Sequence, residues 1–272
     1  MTTLSPAAAD LPLTAPVNLR DLGGVPVAGG TVRPGVVLRA DDLSTVDQGT
    51  ADRLVADGLR AVVDLRSTFE VGLTGRGPLG REAAVTFHHV PFLADLADDG
   101  QTRPDPGSGW DQSTFGPMYL RMVEGAAPQV VTALAIVAHS PGTVAFHCAA
   151  GQDRTGVLAA ALLLALGAGT DDVVAEYART GANSAAIQQR LAPVLAPLMA
   201  QLGVDLDAAA RAAVRTEFSP EPMRWLVATL TERYGDPLAP LRAAGLTDGL
   251  VARLRERLVL APDAAPDGSD VA

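Results

Sequence analysis

The stretch Thr143-Val144-Ala145-Phe146-His147-Cys148-Ala149-Ala150-Gly151-Gln152-Asp153-Arg154-Thr155-Gly156 decides how the rest of the chain is read. Thr143 to Phe146 has the composition of a short buried strand. The run Val157 to Ala168 behind it is too short to span a bilayer and suits a buried core helix. A polar loop joins the two, with Cys148 and Arg154 separated by five residues. A short loop between a strand and a helix N-terminus curls so that successive N–H groups point inward. Such a nest, with the positive end of the helix dipole behind it, binds a phosphoryl group. The spacing makes Ala149, Ala150, Gly151, Gln152 and Thr155 the wall of the cradle. Arg154 can fold back to grip two phosphate oxygens in its planar fork. Cys148 sits at the base, aimed at phosphorus, and the groups that hold phosphate also favour its thiolate. The Thr155 hydroxyl can hydrogen-bond that sulfur. The Gly-Lys-Ser/Thr ending of a nucleotide-binding loop is missing.

The pattern outward from this loop alternates strands and helices. Val36 to Leu38, Ala61 to Leu65 and Phe87 to Phe92 read as strands. Thr50 to Gly58 and Pro128 to Ala138 read as amphipathic helices. Helices are expected at 156–168, 171–179, about 183–202, about 207–215, 220–234 and 247–259. This is an α/β sheet followed by a helical C-terminal half. Residues 17–260 read as one domain between flexible ends, 1–16 and 261–272. The segment from Asp95 to Gly116, rich in Asp, Gly and Pro around Trp110 and Phe115, is either a solvated loop or a lid over a site.

Composition narrows the function classes. The 272 residues carry a net charge of −10, with no lysine at all, so every basic side chain except His is Arg. An acidic chain is not built for nucleic acid, and any site for an anion must be made locally. One cysteine, Cys148, excludes an internal disulfide framework and a cysteine-cluster metal site. The first residues lack a basic and an apolar region, so no Sec signal peptide is expected. A cytoplasmic location follows, with export by another route left open. His88-His89 alternate across a strand and lack a third ligand at suitable spacing, so no metal site is expected.

The run from His147 to Gly156 matches HCxxGxDRTG, and the chain here resembles the Cys-dependent protein tyrosine and dual-specificity phosphatases. Asn18 to Gly24, Val63 to Ser67, Val90 to Phe92, Glu176-Tyr177 and Glu232 to Leu246 resemble the bacterial tyrosine phosphatase B type, which includes mycobacterial secreted phosphatases and related lipid phosphatases. The resemblance runs from about Asn18 to Leu260. It implies the tyrosine-phosphatase fold, a central sheet flanked by helices, with additional C-terminal helices over the site. It implies Cys148 as nucleophile through a phosphocysteine, Arg154 as the phosphate and transition-state ligand, and Asp153 as general acid, with no cofactor or metal. Asp95, Asp98 and Asp111 are the rival acids, since most tyrosine phosphatases take theirs from a separate loop. The implied substrates are phosphoproteins or small phosphomonoesters, without stable membrane insertion. A phosphoinositide phosphatase of the same chemistry and a silent phosphoprotein-binding module are the alternatives.

One position departs from the family. Gln152 stands where members usually carry a lysine associated with phosphoinositide turnover, so a preference for aryl phosphates is expected. His147 either orients the loop or is simply packed. Arg20, Asp21, Asp64 and Arg66 either brace the sheet edge and the loop by ion pairs or touch substrate. Gly23-Gly24 is expected to supply turn geometry with positive φ.

Overall fold

The computed structural model describes residues 11–92, 115–201 and 218–262. A mixed sheet of five strands has the order β1-β4-β7-β5-β6. Its strands are β1 (Arg20–Asp21), β4 (Val37–Ala40), β5 (Leu59–Asp64), β6 (Thr86–His89) and β7 (Thr143–His147). All are parallel except β1, which runs antiparallel to β4. A small antiparallel ribbon joins β2 (Pro26–Val27), β3 (Gly30–Val32) and β8 (Val259–Leu260).

The central strand β7 is buried along its whole length, as a parallel strand covered on both faces must be. Val144 and Phe146 face the larger core, while Ala145 faces a smaller one with Leu43, Leu54, Leu59 and Val62. The smaller core is closed by α1 (Gln48–Ala56). The larger core is built on α3 (Gly116–Gly125), α4 (Ala127–His139), α5 (Asp153–Leu166) and α6 (Thr170–Ala178). Two further helices, α8 (Glu221–Tyr234) and α10 (Asp248–Leu258), complete it. The remaining helices are α2 (Thr68–Thr74), α7 (Ser184–Gln201) and α9 (Ala239–Ala243).

The apolar run is indeed a core helix, but α5 begins three residues earlier than its hydrophobicity indicates, at Asp153. Its first turn is polar because it faces the signature loop. It ends in a Schellman motif: Gly167 takes φ +86°, Gly167 N–H donates to Leu164 and Ala168 N–H to Leu163. Gly116, the last residue of the segment read as a solvated loop or lid, instead opens α3 and packs under Trp225. The expected helix at 207–215 and Asp95, Asp98, Trp110 and Asp111 lie outside the described residues. No helix among the described residues is long and apolar enough to cross a membrane.

This arrangement positions the site by one rule. Open parallel sheets offer ligand sites at the carboxyl ends of their strands. The loop after β7 lies at that edge, between the ends of β4 and β5. Because α5 stands behind the loop and is buried almost all round, its packing holds the platform. Leu162→Ala, at a side chain with no exposure, should cost about 3 kcal/mol of unfolding free energy. Urea denaturation should show the lower midpoint with an unchanged slope.

Candidate active site

The loop Cys148 to Gln152 is held from outside by its carbonyls. Ala149 C=O accepts from the Asp42 backbone N–H at 3.1 Å. Asn18 Nδ2 donates to Ala150 C=O at 3.3 Å and to Gly151 C=O at 3.0 Å. Arg39 Nη2 donates to Gly151 C=O at 2.7 Å. In a trans peptide the C=O and the following N–H point in opposite directions. Three carbonyls drawn outward therefore turn the N–H groups of Ala150, Gly151 and Gln152 inward. The amides of Asp153, Arg154 and Thr155 belong to the first turn of α5, where no intrahelical acceptor exists. Among the described residues, no N–H from Ala149 to Thr155 has an acceptor. Unpaired amides grouped in this way at a helix N-terminus can hold an anion.

Gly151 makes the curl possible. It sits at φ +66°, and a Cβ there would lie 2.5 Å from the Ala40 carbonyl oxygen. Only glycine satisfies both conditions.

The donors are themselves fixed by a buried charge network. Glu176, on α6, receives Arg39 Nη1 at 2.5 Å and Arg20 Nε at 2.7 Å. Burial opposes ionisation of Glu176, but the two guanidiniums outweigh it and lower its pKa. Burial and the neighbouring Arg39 charge lower Arg20 to about 10, against the pull of Glu176, so it stays protonated at neutral pH. Arg20 Nη1 also donates to Asn18 Oδ1 at 2.5 Å, which leaves the Asn18 amide NH₂ turned to the loop. Asp41 accepts from Asn18 N–H at 2.9 Å and from Arg190 Nη1 of α7 at 2.7 Å. Thus α6 and α7, from the C-terminal half, both reach the site. The expected bracing role of Arg20 is met through Glu176. Asp21 instead caps the turn, accepting from the N–H groups of Gly23 and Gly35. Gly24 takes φ +84°, whereas Gly23 is small because Pro34 lies against it.

Arg154 is aimed by Glu70. Its Nη1 meets Glu70 Oε2 at 2.5 Å and its Nη2 meets Oε1 at 2.8 Å. Burial works against the Arg154 charge, but the Glu70 hydrogen bond outweighs it and raises the pKa. A guanidinium has five N–H donors, so Nε–H and a remaining Nη–H stay available for phosphate. Glu70 is the third residue of α2 and closes a capping box with Ser67. Arg66 ties the start of that helix to its end. It donates to Asp64 Oδ2 at 2.6 Å, Asp42 Oδ2 at 3.1 Å, Thr74 Oγ1 at 2.6 Å and the Gly75 carbonyl at 2.9 Å. Burial opposes the Asp64 charge, but the adjacent His147 ring and Arg66 prevail and bring its pKa down to about 2.

Cys148 directly follows β7 and is 1% exposed. The Thr155 hydroxyl is buried without a partner among the described residues. Asp153 opens α5 and accepts from the Tyr119 hydroxyl at 2.5 Å and from Gln152 Nε2 at 3.4 Å. Burial raises its carboxyl pKa against these hydrogen bonds and Arg154. That direction suits a group that must carry a proton to a leaving oxygen. His147 is a brace: its Nδ1 accepts from Leu43 N–H at 3.3 Å and its Nε2 faces Asp64 at 3.7 Å. Burial lowers its pKa, against the pull of the Asp64 and Asp42 carboxylates. His89 Nε2 bonds the Arg66 carbonyl and holds the β5–α2 corner. Glu70, Arg39, Asp42 and Tyr119 are site residues that the sequence reading did not single out. Only Glu70 had a local signal, the Ser67-x-x-Glu70 capping pattern.

Gly151→Ala should therefore cost the cradle its shape. The variant should lose orthovanadate affinity by about tenfold or more, consistent with the loss of oriented amides, while its far-ultraviolet circular dichroism stays native. Inhibition titrations in the two proteins measure it.

The comparisons with known proteins agree with this geometry. The chain is similar to a Cupriavidus necator protein named as a tyrosine-protein phosphatase, 33% identical over 66% of this chain and 66% of that one. It is similar to the triple specificity protein phosphatase PtpB of Mycobacterium tuberculosis, 30% identical over 88% of this chain and 95% of that one. A tyrosine-protein phosphatase of Nostoc commune is 28% identical over 52% of this chain and 47% of its own. The model of the tyrosine phosphatase family matches residues 11–260. With that match spanning the sheet, the signature loop and every tie described above, the chain belongs to the tyrosine phosphatase family.

Proposed function

We propose that this phosphatase hydrolyses phosphomonoesters through a phosphocysteine on Cys148, with Asp153 as acid and then base. The observation that supports it is the signature loop itself: carbonyls of Ala149, Ala150 and Gly151 tied outward, N–H groups from Ala149 to Thr155 without an acceptor among the described residues, and the Glu70-held Arg154 guanidinium near Cys148. The thiolate attacks phosphorus in line, forming the S–P bond as the P–O bond to the leaving group breaks. Amides and Arg154 take up the charge of the equatorial oxygens. Asp153 gives its proton to the leaving oxygen. Water then attacks phosphorus, the S–P bond breaks, and the water proton returns to Asp153.

For substrates we propose phosphotyrosine first, with phosphoserine and phosphothreonine after it; the name of the mycobacterial relative extends its range beyond tyrosine. Gln152 supports this order over inositol lipids. Its amide brings no charge and is turned toward Asp153. The net charge of −10 argues against nucleic-acid partners. A sole cysteine in the proposed catalytic role fits a reducing, cytoplasmic compartment.

Cys148→Ser should hydrolyse a small aryl phosphate at under about 1% of the parent rate, because a serine hydroxyl is scarcely ionised at neutral pH. It should still bind orthovanadate, since the cradle is made of backbone. Retained turnover would remove Cys148 as nucleophile.

Gln152→Lys tests the substrate order. A cation beside phosphate at a partly buried site contributes about 1 kcal/mol or more. The variant should raise kcat/KM for a phosphoinositide at least several-fold and change that for a small aryl phosphate less. Both are measured at one ionic strength. Equal changes in the two classes would sink the charge argument.

A further inference from the structure

The carboxyl of Asp153 is not left to itself. Tyr119, on α3, is fully buried and gives its hydroxyl to Asp153 Oδ1 at 2.5 Å. The Tyr119 oxygen lies 2.8 Å from the Tyr177 hydroxyl on α6, and the two rings meet edge to face at 76°. Tyr177 in turn packs against Phe218, with ring centroids 5.3 Å apart. A hydroxyl has one proton. When Tyr119 gives its proton to Asp153, Tyr177 must give its own to Tyr119, so the chain points toward the carboxyl. The Gln152 amide is directed at the same oxygen, Oδ1. Both donors thus converge on Oδ1, and neither reaches Oδ2.

We propose that Tyr119, with Tyr177 behind it, is a positioning residue for proton transfer: it holds Asp153 Oδ1 as the hydrogen-bond acceptor and so makes Oδ2 the oxygen that exchanges the catalytic proton. The inference rests on Asp153 being the acid–base group. In the first half-reaction the S–P bond forms, the P–O bond breaks and the Oδ2 proton passes to the leaving oxygen. In the second, the water O–P bond forms, the S–P bond breaks and the water proton passes to Oδ2. The Tyr119 proton is transferred in neither step. Its hydrogen bond is strongest while Asp153 is anionic, between the two.

The groups facing Asp153 are Tyr119 from α3, Tyr177 behind it from α6, Gln152 from the loop and Arg154 from α5. Burial pushes the Asp153 carboxyl up, and Tyr119 acts against it. Losing the hydroxyl therefore raises the carboxyl further, and the alkaline limb of kcat/KM moves to higher pH.

The experiment compares the parent, Tyr119→Phe, Asp153→Asn and the double variant on two aryl phosphates. Phenyl phosphate has a poor leaving group that needs the acid; p-nitrophenyl phosphate has a good one that does not. Tyr119→Phe should lower kcat/KM for phenyl phosphate by about tenfold, a fraction of the general-acid contribution. It should change p-nitrophenyl phosphate by less than about threefold and move the alkaline limb upward. In the Asp153→Asn background it should add nothing. Equal losses on both substrates with an unmoved limb would overturn the inference and make Tyr119 structural only. If Asp153→Asn steepens the leaving-group dependence and Tyr119→Phe does not, this inference alone falls. If Asp153→Asn leaves that dependence unchanged, the acid assignment itself falls, and this inference with it. Should Tyr119→Phe fail to fold, Tyr177→Phe keeps Tyr119 in place and removes its donor. It should shift the same readouts in the same direction by about threefold, and no shift would overturn the inference.

Discussion

Everything in the site depends on the carbonyls of Ala149, Ala150 and Gly151 being drawn away from it. Peptide planarity converts those outward ties into inward amides. The chain contributes no lysine and carries a strongly negative net charge, so it cannot attract phosphate by its overall field. In the proposed mechanism it does so with dipoles, one helix terminus and one guanidinium. Preorganised dipoles of this kind need little reorganisation when charge develops, which makes them effective around a phosphoryl transition state.

Holding the ties requires burying charge. Arg39, Arg20 and Glu176 lie out of water together, as do Arg66, Asp64 and Asp42. Such groups gain little net stability compared with well-packed apolar side chains. They give instead a fixed geometry: an arginine fork fits carbonyl and carboxylate partners in one arrangement only. The two clusters flank the loop. One fixes its carbonyls, the other fixes α2 and through Glu70 the direction of Arg154. Their members come from β1, β4, β5, α6 and the segments that follow β4 and β5, so distant parts of the chain share one function.

The sequence revealed the centre of this arrangement more readily than its supports. The buried strand β7, the core helix α5 and the cysteine-to-arginine spacing are local patterns, set by apolar runs and by a short loop. Hydrophobicity alone starts α5 three residues late, because Asp153, Arg154 and Thr155 carry no apolar signal. The ribbon of β2, β3 and β8 escaped because its strands are two or three residues long and β8 pairs from the far end of the chain. Tyr119 meets Asp153 across 34 residues, and Glu70 meets Arg154 across 84. No periodicity reports such pairs. Arg20 and Arg66 each stand near an acidic residue in the sequence, and Arg66 does pair with Asp64. Arg20, however, turns from Asp21 to Glu176, because Asp21 is taken by the backbone of the turn.

The most direct test of the account is a crystal structure with orthovanadate. Vanadium is expected with the Cys148 sulfur at one apex. The equatorial oxygens lie on the loop amides and the Arg154 fork, and the Gly151 carbonyl remains on Asn18 and Arg39. Vanadate held elsewhere, or a loop whose carbonyls have left those partners and turned inward, would contradict it.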